Sequence, residues 1–335
     1  MIKPGMLRFL LALIVAVGHA VPGWVFLGYF AVICFFILSG YWISSLFHRQ
    51  YTQEQHPLFV FYTSRLWRLV PTLLLFTIAA LVMQALFDRS FMLQVQQLSG
   101  FAQTRFWLSH VFVFGLALLK FRLLGPAWSL DIELQFYGVF PLLYLCVSRF
   151  GKRGLLSLAL LSALAYLFIR CLPVLQFSFI KPTFLYYSPF FLAGMLLYWW
   201  PVVCSRYIVL VCNLALLVIT ALLYAQVLPR SSALINEIMA VLMIPLISNC
   251  VTRKSDAKDA WLGNISYVLY LAHWLWIIPY RQWVTANTGA QVLLFCAYLL
   301  LTGITSYVAY RYFDAKVNRA RKRWMARQAA LVSGE

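Results

Sequence analysis

The stretch LRFLLALIVAVGHA, residues 7–20, decides the fold. Between Arg8 and His19 stand ten residues with no polar side chain, nine of them aliphatic, aromatic or alanine and the tenth Gly18. An ionisable group inside a bilayer costs roughly 2.5–3.5 kcal/mol, so two of them bracketing such a run are candidates for function. On a helix, the eleven steps from Arg8 to His19 turn through nearly three full circles and rise about 16 Å. Both side chains therefore face much the same way, one near the start of the helix and one near its end.

The rest of the chain has the same character. It is 335 residues long, 63% hydrophobic and 11% charged, with a mean hydropathy of +0.83. A soluble domain is about 25% charged, so this chain cannot cover a water-facing surface. Apolar runs of about 20 residues recur, continuous rather than alternating, which predicts spanning helices and not a barrel. The expected fold is all-α: a polytopic transmembrane helix bundle of ten spans. They lie near 7–22, 25–47, 69–87, 127–147, 154–171, 183–200, 207–228, 234–252, 262–283 and 289–312. Residues 106–119, FWLSHVFVFGLALL, are short for a span and are expected to form a re-entrant or interfacial helix. The organisation expected is one membrane-embedded domain, 1–315, and a basic cytoplasmic tail, 316–335, lying on the inner membrane face.

Charge orients this bundle. The net charge is +18. With the N-terminus inside and ten spans, 19 of the 27 Lys and Arg fall on the inner side and 8 outside. The inner set is Lys3 and Arg8, three residues in 48–68, three in 149–153, Arg206, three in 253–258 and seven in 311–327. The positive-inside rule then predicts N-in, C-in. Counting 106–119 as an eleventh span would put SRFGKRG and RARKRWMAR outside, against that rule. The basic excess reports topology and membrane lipid, and no nucleic-acid partner is expected, because no basic patch accompanies a nucleic-acid-binding fold. The seven Cys are scattered without a CxxC pair, as small apolar residues rather than ligands. No cleavable signal peptide is expected, since the first apolar segment runs on through Pro22-Gly23 without a small-residue cleavage site.

Four groups carry polar chemistry into the bundle. The first is Arg8 with His19. The second is FYTSRLWRLVP, residues 61–71, where Arg65 and Arg68 are i, i+3 at the inner start of the third span and share a face. Two guanidiniums so placed suit a bidentate grip on phosphate, although plain topology charges occupy such positions too. The third is PAWSLDIELQFYGVFP, residues 126–141. Asp131 and Glu133 point about 200° apart, so they do not both face one cleft. Glu133 needs a partner at its depth. His19, on the outer side, is the one expected, and a carboxylate on its ring would make it a better base. A helix-end Arg is the other candidate. The fourth is LGNISYVLYLAHWLW, residues 262–276, with Ser266, Tyr270 and His273 on one face and Asn264 and Tyr267 beside them. Polar residues at this spacing either glue helices together or line a cleft. The same two readings apply to Ser39, Gly40 and Tyr41 of CFFILSGYW. The candidate cleft lining is Ser39, Tyr41, Trp128, Ser129, Asp131, Tyr137, Ser266, Tyr270 and His273. No metal site is expected, because HxxxH and HExxH are absent, as are Walker, Rossmann and GxSxG patterns.

LRFLLALIVAVGHA, CFFILSGYW, FYTSRLWRLVP, PAWSLDIELQFYGVFP and ISYVLYLAH, in that order along the whole chain, resemble the acyltransferase 3 family of bacterial integral-membrane O-acyltransferases. The family is similar in its Arg-x10-His pair in the first span, matched by Arg8 and His19, and its Arg-x-x-Arg at the third, matched by Arg65 and Arg68. Glu133 matches the acidic residue of its WSL-x-x-E signature. The resemblance implies transfer of an acyl group, usually acetyl, from cytoplasmic acetyl-CoA to a hydroxyl of O-antigen, exopolysaccharide or another envelope saccharide, free or lipid-linked. It implies donor binding by Arg8, Arg65 and Arg68 and catalysis by His19 and Glu133, with His19 as general base or as a short-lived acyl carrier. It implies no permanently bound cofactor, acetyl-CoA being a substrate, and a place in the bacterial cytoplasmic (inner) membrane. GMLRF stands where the family commonly has DGLRG, and the SGNH esterase-like domain of some members is not in this sequence, so a shorter, stand-alone branch is expected. The alternative is a secondary transporter or flippase of a glycan or lipid-linked substrate. The inverted repeats common in transporters are not detectable in the sequence.

Overall fold

The computed structural model describes residues 2–21, 23–172, 180–229, 232–284 and 288–333. Among the described residues all regular structure is helical. In order these are α1 (Pro4–Ala20), α2 (Val25–Arg49), α3 (Pro57–Phe87), the short α4 (Arg89–Gln96) and α5 (Gly100–Phe112), α6 (Ala127–Cys171), α7 (Phe184–Trp199), α8 (Arg206–Tyr224), α9 (Ala233–Leu242), α10 (Ile244–Val251), α11 (Ala257–Trp283), α12 (Thr288–Ala309) and α13 (Ala315–Ser333). A π-helical turn, Tyr310–Asp314, joins the last two.

Each segment expected as a span overlaps a helix. Two spans fall on α6, which breaks at Gly151, where φ is 63°. The 234–252 segment is α9 and α10, bent by 42° just before Pro245, whose ring and missing N–H interrupt the helix. Among the described residues five helical stretches are long and apolar enough to cross a membrane, six if the bent pair is one span. Their outward faces carry exposed Leu142, Leu160, Leu164, Leu217, Leu293 and Leu300, as lipid contact demands. The chain is a multi-pass membrane protein. α11 misses that set because the Ser266, Tyr267, Tyr270 and His273 side chains it buries against the other helices lower its hydropathy.

Residues 106–119 do not form one helix. α5 ends at Phe112 because Val113 (φ 54°) and Gly115 (φ 75°) are left-handed, and its 13 residues give about 20 Å of length, short of a span.

Small residues set the closest helix contacts. A Cβ on Gly40 of α2 would sit 2.0 Å from the Phe191 carbonyl oxygen of α7, and one on Gly194 would sit 1.9 Å from that of Ile37. α1 meets α11 in the same way: a Cβ on Gly5 would lie 1.8 Å from the Asp259 carbonyl oxygen. The Asp259 carboxylate accepts from the Gly5 and Met6 N–H groups at 3.0 and 2.8 Å, capping the free donors at the start of α1. α13, expected as a separate surface tail, packs on α3, with the Trp324 ring against Phe59 (6.2 Å) and Trp67 (5.9 Å).

Candidate active site

Helices α1, α2, α3, α6, α11 and α13 enclose a cavity of about 660 Å³. Its open end lies among exposed Gln50, Ser255 and Lys322. This is the end that carries the start of α1, the loops after α2 and before α11, and α13. On α2 the lining runs from Gln50 back to Val32, about 27 Å of helix. On α11 it runs from Asp259 to Tyr270, about 16 Å. At the far end of the lining stands Ser129, whose Oγ is hydrogen-bonded to the Tyr270 hydroxyl at 2.6 Å, with Phe35 packed on the Tyr270 ring at 6.0 Å.

Arg8, Ser39, Arg65, Arg68, Ser129, Glu133, Tyr137, Ser266 and Tyr270 all line this shaft. Helical phase is the reason. Arg65 and Arg68 share the inward face of α3, while Ser129, Glu133 and Tyr137 repeat every fourth residue on α6. Glu133 Oε1 accepts from Ser39 Oγ at 2.8 Å and from the Tyr137 hydroxyl at 2.6 Å. Arg65 donates from Nη2 to the Tyr51 hydroxyl at 2.7 Å. Arg68 is paired with Asp314 at 3.0 Å and lies 5.0 Å over the Tyr267 ring. Among the described residues neither Arg8 nor Arg65 has a carboxylate within 4 Å.

The structure corrects several expectations. Glu133 is not the partner of His19. His19 is one residue from the C-terminal end of α1, whereas the Glu133 carboxylate is held six residues into α6 by Ser39 and Tyr137, in the shaft lining with the arginines. His19 stacks on His273 with ring centroids 5.4 Å apart and meets the edge of Trp274 at 5.3 Å. Neither histidine lines the shaft. His273 stands between, its ring 6.0 Å from Tyr270. The single wall expected from Arg8 to His19 is therefore interrupted at Tyr270. Neither ring nitrogen of His273, nor Nδ1 of His19, has a hydrogen-bond partner among the described residues. Unsatisfied buried polar atoms are uncommon and mark functional places.

Asp131 faces away from the shaft. Its carboxylate accepts from the Gly115 N–H at 3.2 Å and the Ala117 N–H at 2.8 Å, which holds the loop after α5. Trp128 packs among Tyr29, Phe36 and Tyr187, and Tyr41 against Trp42 and Tyr198. The CFFILSGYW motif thus divides its labour: Ser39 lines the cavity, while Gly40 and Tyr41 pack helices. Sequence reasoning missed Trp42, Asp259, Arg321 and Lys322 in the lining. Asp259 was detectable as the third residue after Asp256, the N-cap whose carboxylate accepts from its N–H, a helix-start signature.

Comparison with known proteins matches residues 4–311 to an acyltransferase domain. The chain is similar to the peptidoglycan O-acetyltransferase OatA of Listeria monocytogenes serovar 1/2a, with 25% identity covering 93% of this chain and 55% of that protein. It is also similar to the O-acetyltransferase OatA of Staphylococcus aureus, with 29% identity covering 46% of this chain and 27% of that protein. The chain thus spans about half the length of the first relative and less of the second. No solved structure matches it.

Proposed function

The chain belongs to the acyltransferase 3 family of membrane O-acyltransferases, and from that premise we propose that it moves an acetyl group from acetyl-CoA to a hydroxyl of an envelope glycan. The observation that carries this reading is the polarity of the shaft. Guanidiniums stand toward its open end, the uncharged Ser129 and Tyr270 at its far end, and the histidine stack, with three ring nitrogens that have no hydrogen-bond partner among the described residues, just beyond. A CoA thioester has the same polarity: phosphates at one end, a thin arm, and a reactive carbonyl at the other.

In this reading Arg8, Arg65 and Arg68 bind phosphate oxygens, and the arm follows α2 toward Val32. The thioester carbonyl reaches Ser129 and Tyr270, whose hydroxyls, each within hydrogen-bonding range of the Pro126 carbonyl, exchange that bond for one to the developing oxyanion. The acceptor hydroxyl attacks the carbonyl carbon, the C–S bond breaks, and the thiolate leaves with the proton that the base removed from the hydroxyl. His19 is that base, or it takes the acetyl first as an acyl-imidazole and yields it to the hydroxyl. Glu133, close enough to act electrostatically on Arg8, is a positioning residue in the shaft wall. The open end faces the cytoplasm of a bacterium, with the protein N-in and C-in across the inner membrane in ten spans. The names of the relatives favour peptidoglycan as acceptor, and O-antigen, exopolysaccharide and lipid-linked saccharides offer the same hydroxyl chemistry.

The test is mass spectrometry of envelope glycans from cells with and without the gene, in search of one acetyl ester per modified sugar. His19→Ala is expected to remove that ester while the protein still accumulates in the membrane. Normal acetylation by His19→Ala would overturn the mechanism.

A further inference from the structure

We propose that α13 is part of the donor site, with Arg321 and Lys322 holding the phosphate-bearing end of the acyl donor at the mouth of the shaft. This rests on the CoA reading above and adds a segment beyond residue 311, where the family match ends.

The helix carries Lys316, Arg319, Arg321, Lys322, Arg323 and Arg327 and no acidic residue. Attraction to anionic lipid explains the exposed ones. It does not explain Arg321, which turns inward. Its Nη1 donates to Ser64 Oγ at 2.8 Å, and its Nε is buried without a hydrogen-bond partner among the described residues. Ser64 Oγ also accepts from the Tyr51 hydroxyl at 3.0 Å, and that hydroxyl accepts from Arg65 at 2.7 Å. Two guanidiniums on different helices are thus tied to one Tyr51–Ser64 pair, and like charges so close repel.

The lining offers little to offset this. Five cations face the shaft, namely Arg8, Arg65, Arg68, Arg321 and Lys322, against the carboxylates of Glu133 and Asp259. Asp259 already accepts from two backbone N–H groups and from Ser255. None of the ion pairs among the described residues involves Arg8, Arg65, Arg321 or Lys322. Arg65 is buried and Arg8 and Arg321 are half-buried; a cation so placed without a counter-charge is unfavourable, and a ligand with several phosphates supplies one to these three and to the exposed Lys322. The helix is also fixed in place. Trp324 is wedged between Phe59 and Trp67. Asp314, in the π-helical turn at its start, binds Arg68, Thr72 and Asn318.

The experiment measures binding of CoA and of pantetheine, which lacks phosphates, to the purified full chain in detergent. The wild type binds CoA more tightly than pantetheine. Arg321→Ala and Lys322→Ala each weaken CoA by about tenfold, the loss of one charge-assisted contact, and leave pantetheine unchanged. Arg319→Ala, on the exposed side of α13, leaves both unchanged. Lys322 is exposed, so its variant folds even where Arg321→Ala does not. A wild type that binds no CoA would overturn the donor reading itself. A wild type that binds CoA alongside variants that bind it equally well would overturn the role of α13 alone. An Arg321 effect that appears only on adding phosphatidylglycerol would assign the helix to the membrane surface and equally overturn the proposal.

Discussion

Replacing Gly40 with alanine puts a methyl group into backbone. Its carbon would stand 2.0 Å from the Phe191 carbonyl oxygen and 2.9 Å from the carbonyl carbon. A carbon–oxygen contact needs about 3.3 Å, so α2 must move away from α7 by about 1.3 Å. Rigid backbone on both sides leaves no side chain to swing aside. α6 packs on α7 as well, so this movement lengthens the neighbouring Ser39–Glu133 hydrogen bond from 2.8 Å to about 4 Å, beyond hydrogen-bonding range. Overpacking costs roughly 1–3 kcal/mol, and losing a hydrogen bond to a charged group adds about 1.5–3 kcal/mol. The expected result is a melting temperature lower by several degrees, read by tryptophan fluorescence in detergent, together with weaker acetyl transfer. The controls are Gly138→Ala and Gly303→Ala, where an added Cβ meets nothing within 4 Å, and both should melt with the wild type. A Gly40→Ala protein that melts with those controls would refute the close approach of α2 and α7.

Glu133→Gln keeps the shape of the side chain and removes its charge beside Arg8, so acetyl transfer should fall by about tenfold or more with little change in melting; unchanged turnover would dismiss its positioning role. His273→Phe preserves the stack with His19 and removes two ring nitrogens that have no close hydrogen-bond partner among the described residues. It should melt like the wild type yet lose about a hundredfold in transfer if the imidazole takes part in proton movement, whereas a purely structural residue would leave turnover intact. Asp131→Ala strands the Gly115 and Ala117 N–H groups, at about 1–3 kcal/mol each if they stay buried. Limited proteolysis should then cut the 113–126 loop faster, with CoA binding preserved.

Arg8, Arg65, Arg68 and Glu133 were legible without coordinates because a charge is rare in an apolar helix and stands out at once. Their partners were not legible. Glu133 was expected at the depth of His19, but its carboxylate is taken up by Ser39 of α2 and Tyr137 of α6 and the His19 ring by His273 of α11, pairings that only packing decides. Asp131 and Glu133 differ by two positions and so take opposite faces. The phase alone gives that separation, yet not which of the two faces inward. α13 was expected as a basic tail lying on the inner membrane face, and its packing on α3 through Trp324 was not legible in the sequence.

What the sequence alone determined was local: apolar runs that must be helices in lipid, a charge pattern that orders them, and the rare ionisable groups they carry. Tertiary structure decided the rest. It joined Glu133 to Ser39 and Tyr137, His19 to His273, and Arg321 to the Tyr51–Ser64 pair that also holds Arg65. The physical reason is that helix register is set where backbones touch, at Gly5, Gly40 and Gly194. A shift of one residue at such a contact turns a side chain by about 100° and moves it about 1.5 Å, enough to change its partner.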